Sequence, residues 1–150
     1  MPSRSILRPF LAGFRRVALL ATACAFLSSC GVKKDLQKAE QAVAGFHSQL
    51  DSEQYETIYA ATGDEFQKVT SETDLTNLLQ AVHRKLGKVR GSQRENVRVN
   101  FDAGRGEVVS LQYKTDFEGG PGTESFAWQF SGDRPLLLSY NVNSNALILK

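Results

Sequence analysis

Proton-transfer chemistry in this chain would have to come from His47, His83, Asp116 or Glu124, and ligand stacking from Tyr55, Tyr59, Tyr113, Trp128 and Tyr140. An imidazole or carboxylate works as a base only when it faces a cavity within hydrogen-bond reach of its substrate. What matters is therefore the face on which each residue falls. His47 follows Phe46 and His83 follows Val82, so each stands at the flank of an apolar helical stripe and reads as solvated or edge-packed. Asp116 and Glu124 lie beside turns, and either would need a β-bulge to rotate inward. On this pattern no catalytic residue is expected. Two isolated histidines without ordered carboxylate spacing make no metal motif, neither glycine-rich turn precedes a helix as a phosphate cradle would, and no cofactor is expected. The five aromatic residues fall on inward positions. They could enclose a small apolar or aromatic ligand, whereas packing into the core with hydroxyls at the rim is the reading the structural period favours.

The elements that would position these residues begin with helices. Between Asp35 and Leu50, the residues Leu36, Ala39, Val43, Phe46 and Leu50 form a stripe, with Lys38, Glu40 and Gln41 elsewhere, which predicts one amphipathic helix. Asp51 or Ser52 is suited to cap a second, shorter helix that carries Tyr55, Ile58 and Tyr59 on one face and closes at Gly63. Phe66 and Val69 then fall on a connecting segment. Ser71 with Asp74 three residues on announces a third helix, carrying Leu75, Leu78, Leu79, Val82 and Leu86 and stopped by Gly87. After Gly91 the apolar period changes from near four to two. The inward set is then Val97, Val99 and Phe101; Val109, Leu111, Tyr113, Thr115 and Phe117; Phe126, Trp128 and Phe130; and Leu136, Leu138, Tyr140 and Val142. None of these is Asp, Glu or His. Turns at Asp102–Gly106, Glu118–Gly122 and Ser131–Pro135 join the four strands into an antiparallel meander whose apolar face needs a helical cover. The expected fold is α+β, with three N-terminal helices on a curved four-stranded antiparallel sheet.

Upstream of the helices, Arg4, Arg8, Arg15 and Arg16 stand without any acidic residue before the apolar run Val17 to Leu27. That run has eleven residues, against the roughly twenty a membrane helix needs, so it reads as a removable leader. Leu27, Ser28, Ser29 and Cys30, followed by Gly31, resemble a bacterial lipoprotein cleavage box. The resemblance implies a diacylglyceryl thioether on Cys30, which would supply the two chains that stable anchoring takes. It divides the chain into a signal peptide (1–29), a lipidated tether (30–34) and one α+β domain (35–150). Arg15 and Arg16 also invite a twin-arginine export reading, but Phe14 and Ala18 depart from that motif and favour the general secretory route. With Cys24 removed and Cys30 lipidated, no thiol remains for a disulfide, a zinc site or a nucleophile. Loss of the leader leaves 14 basic against 16 acidic residues, about −2 overall, so a nucleic-acid partner loses its electrostatic support. Gly31 is not the Asp that resembles an inner-membrane retention signal. Where the source has two membranes, the implied address is the outer membrane, facing the periplasm.

The helices-then-sheet order, with the opening helix ending near Phe46, the Tyr55 to Tyr59 segment, the Leu75 to Gly87 helix and the closing run Leu138 to Ser144, resembles the nuclear transport factor 2-like, or ketosteroid isomerase-like, superfamily. Within it the chain is similar to small uncharacterised bacterial lipoproteins. A cystatin-like sheet wrapped on a single helix is the alternative architecture. The resemblance implies a cone between helices and sheet, where enzymes of the superfamily keep an Asp or His base. The inward strand positions lack such a base. The expected function is therefore that of a membrane-anchored, non-catalytic protein-binding or assembly module with an envelope protein as partner. A receptor for a small apolar ligand is the alternative, and an isomerase- or dehydratase-like enzyme ranks third.

Overall fold

The computed structural model describes residues 28–149. The apolar run of the expected leader, Val17 to Leu27, lies outside the described residues. Asp35–Lys150 forms one compact unit.

Helix α1 (Ser28–Asp51) begins upstream of the expected start and buries Ala39, Val43, Phe46 and Leu50, the stripe that steps of three and four place on one face. Helix α2 (Tyr55–Ala60) is not capped by Asp51 or Ser52. The first helix runs on through Asp51, whose Oδ1 accepts the Val89 N–H at 3.0 Å instead. The segment carrying Phe66 and Val69 is itself a helix, α3 (Asp64–Val69), so among the described residues four helices precede the sheet rather than three. Its six residues are too short for periodicity to reveal. Helix α4 (Glu72–Leu86) starts as expected: Ser71 Oγ accepts the Asp74 N–H at 3.1 Å. It buries Leu75, Leu79, Val82 and Leu86, but Leu78 is 44 % exposed and leaves the predicted stripe.

The sheet is an antiparallel meander in the order β1 (Val89–Asp102), β2 (Gly106–Phe117), β3 (Gly120–Ser131) and β4 (Arg134–Asn143), followed by the short helix α5 (Asn145–Leu149). Strand β2 alternates as predicted, with Val109, Leu111, Tyr113, Thr115 and Phe117 buried. Two other strands depart from the expected faces. In β4 the register shifts opposite Ala127 and Trp128, so Leu137 enters the core while Leu136 and Leu138 are half-buried. In β1 the inward side outruns its cover: Val97 is 38 % and Phe101 82 % exposed.

The turn from β2 to β3 is tighter than expected, with Phe117 paired to Gly120. Gly119 sits so close to the end of α4 that a Cβ there would stand 2.7 Å from the Lys85 carbonyl oxygen. Its N–H donates to the Leu86 carbonyl at 2.6 Å, which ties the hairpin to the helix. Among the described residues no helix is long and apolar enough to cross a membrane.

Candidate functional site

The inner face of β3 carries Phe126 and Trp128, and strand alternation carries the same face back to Glu124. The β2–β3 register is unbroken from Phe117 opposite Gly120 to Val108 opposite Gln129. Glu124 therefore points inward on a regular strand, with no bulge, and its exposure is 0 %. This corrects the expectation that no acid occupies an inward position. The strand starts six residues before Phe126, so the alternation that sets Phe126 and Trp128 inward extends back to Glu124.

Three side chains converge on the carboxylate. Thr115 Oγ1 donates to Glu124 Oε2 at 2.6 Å, and Tyr140 OH donates to Oε1 at 2.9 Å. His47 Nε2 lies 2.7 Å from Oε2, close enough for its N–H to donate there. The sheet positions the first two by diagonal neighbourhood: Glu124 opposes Tyr113 and Val142, and Thr115 and Tyr140 lie two residues from those partners. Helix α1 supplies the third: of the two alternatives for His47, solvated or edge-packed, burial beside Phe46 excludes the first. Each carboxylate oxygen thus has at least one donor, the condition under which a buried charge is tolerated.

Burial raises the Tyr140 hydroxyl well above its ordinary pKa, and the adjacent Glu124 charge and the hydrogen bond to it push in the same direction. The phenol therefore stays protonated and acts as a donor. His47, itself buried, lines an open groove of about 500 Å³ between α1 and the start of β1, with Ser48, Asp51, Lys88 and Arg90. Chemically, the arrangement can hold an imidazole in one orientation with a carboxylate behind it.

The predicted aromatic set divides. Tyr113, Trp128 and Tyr140 gather around Phe126, with ring centroids 6.1, 6.2 and 5.2 Å away, and Phe46 closes on Phe126 at 5.2 Å and on Tyr140 at 4.6 Å. Tyr55 and Tyr59 belong to α2; Tyr55 is buried and Tyr59 OH donates to the Thr70 carbonyl at 3.4 Å. The grooves at the α1–β1 junction and on the outer sheet face are lined by other residues. Asp116 is exposed, and His83 lies apart with Nδ1 3.9 Å from Glu53 Oε1. Cys30 falls within α1. Among the described residues no group of three His, Cys, Asp or Glu could hold a metal ion.

The signal for Glu124 was in the sequence, as the parity of Phe126 and Trp128. The signal for His47 was not, because which flank of α1 meets the sheet depends on how the two cross. No curated protein matches the chain. Residues 42–135, a stretch that contains His47, Thr115 and Glu124 and covers more than half of the chain, match the family described as "Protein of unknown function (DUF4019)", and the chain belongs to that family.

Proposed function

We propose that the chain is a membrane-anchored envelope lipoprotein, held by lipid on Cys30, whose α+β domain is a non-catalytic protein-binding or assembly module with a curved, cone-like interior of the nuclear transport factor 2-like kind. The observation that carries this reading is the filling of that interior. Phe46, Tyr113, Trp128 and Tyr140 pack around Phe126, and each oxygen of Glu124, which is 0 % exposed, already accepts from a protein donor. The apolar side chains left over lie outside, with Val69, Phe101 and Leu149 each more than four-fifths exposed. A protein partner is the ligand class that an exterior of this kind serves.

Trp128 is the sole tryptophan and stands inside the aromatic cluster, so its fluorescence tests the reading directly. Titration with a panel of small apolar and aromatic compounds should leave its emission unchanged, while crosslinking in the native envelope yields a defined protein adduct. A saturable shift in Trp128 emission would put the receptor reading first. Replacing Cys30 by Ser should abolish labelling by fatty acid and leave the leader uncleaved.

The position of His47 supports a second reading. An imidazole backed by Glu124 and bordering a groove could transfer a proton to a bound substrate. Under that reading His47→Gln and Glu124→Gln would abolish an activity while the envelope adduct persists; under the first reading both variants keep the adduct and no turnover is lost.

A further inference from the structure

The two edges of the sheet are finished differently. On the β4 side, the chain between α2 and α3 runs alongside: the Gly63 N–H donates to the Leu137 carbonyl at 2.9 Å, and the Leu137 N–H donates to the Ala61 carbonyl at 3.0 Å. On the β1 side no strand follows in the sheet order among the described residues. The first half of β1 is broken by two register shifts, at Arg90 and at Glu95, each of which leaves one residue without a partner on β2. Bulges of this kind bend a strand and blunt its edge. The second half is regular: Asn96 to Asp102 oppose Gln112 to Gly106 without interruption.

We propose that this regular half of β1 is the pairing edge for a second copy of the same chain, joined antiparallel about a two-fold axis at Val99. The stretch from Asn96 to Asp102 is symmetric about Val99 in length, so this centre alone uses all of it in both copies. Val97 then opposes Phe101 of the second copy, Val99 opposes itself, and Phe101 opposes Val97, which brings together the exposed apolar residues that the helices leave uncovered. On the other face Arg98 opposes Asn100, so no like charges stand directly opposite one another. A centre at Val97 would carry the pairing through the bulge at Glu95 and break the ladder. The contact is isologous and closes on itself, so it yields a dimer and not a fibre.

This inference goes beyond the proposed function and is tested separately from it, by cysteine crosslinking of the full-length protein in its membrane. Directly opposed residues of an antiparallel pair have Cα atoms about 4.5–5.5 Å apart, within the range a disulfide spans. Val99→Cys should therefore give a covalent dimer on mild oxidation, with the 99–99 disulfide mapped by mass spectrometry. Val97→Cys alone should not, because the two copies of position 97 lie about 13 Å apart along the strands. Mixing Val97→Cys with Phe101→Cys protein should restore the crosslink. All three positions are at the surface or half-buried on an edge strand, so the variants fold. A monomeric Val99→Cys, equal crosslinking of all single variants, or a Val99→Cys adduct formed only with a different protein would each overturn the two-fold pairing.

Discussion

Glu124 and Trp128 lie on the same face of β3, at either side of Phe126, yet they are buried on opposite terms. Around Glu124 every polar atom that enters the core meets a partner: Thr115, His47 and Tyr140 supply the carboxylate with donors. Around Trp128 the indole Nε1 is buried and finds no hydrogen-bond partner among the described residues, and the same holds for Oε1 of Glu107. Glu107 stands two residues along β2 from Val109, the register partner of Trp128. The first end invests several side chains in one charge, which fixes their mutual positions. At the second end packing outweighs hydrogen bonding: the bulk of the indole fills the core and the cost of its N–H is carried by the rest of the fold. The difference suggests that substitutions at the two ends should have opposite energetic character, large and unfavourable at the networked end, small or favourable at the other.

The strongest break is Glu124→Ala. It removes the shared acceptor, strands three buried donors and opens a void, and chemical denaturation should show a loss of about 3–5 kcal/mol. A loss under about 1 kcal/mol would mean that the network contributes nothing net, as some buried charge clusters do.

Tyr140→Phe sharpens the point without emptying space. It leaves Glu124 Oε1 short of a donor and should cost about 1–3 kcal/mol. The same residue sets an alkaline limit. Its folded-state pKa lies above the unfolded value, so the stabilisation it contributes is complete below about pH 10 and is lost as pH rises from there toward the folded value. Equilibrium unfolding across that range should show a steeper alkaline decline in the parent than in Tyr140→Phe.

At the other end, Trp128→Phe deletes the unpartnered N–H together with some volume. The two effects oppose one another, and the net cost should stay under about 1.5 kcal/mol, well below that of truncating the same side chain to Ala. Smallest is Glu107→Gln. Burial, with the charge of Asp35 second, raises the Glu107 pKa, so the native state disfavours its ionised form. The substitution should stabilise the protein by under about 1 kcal/mol at neutral pH, and the gain should vanish as pH falls below the ordinary carboxylate range, where the parent is protonated in both states. A destabilising Glu107→Gln would show that the carboxylate has a role that its unpartnered oxygen hides.

The residues whose face the local pattern does not predict show where that pattern stops being informative. Leu136, Leu137 and Leu138 are consecutive and of one type, so alternation in that run has no phase, and only the register shift at Trp128 selects Leu137 for the core. Glu124, by contrast, shares parity with two residues already assigned inward, and a longer β3 would have placed it correctly. Val97 and Phe101 alternate as well as any buried strand, but alternation reports a face and not whether a helix covers it.

What the sequence determined by itself is what depends on neighbours in the chain. The stripe of α1, the Ser71 cap of α4 and the meander order of four strands follow from side-chain spacing, capping chemistry and short turns, all of which act over a few residues. What the tertiary structure decided is which flank of α1 meets the sheet, where the register slips, and where the helical cover ends. Those choices brought His47 from α1, Thr115 from β2 and Tyr140 from β4 onto one carboxylate and left half of one edge strand bare. They rest on packing between elements far apart in sequence, where a shift of one residue moves a side chain from the core to solvent, and no local spacing records which alternative wins.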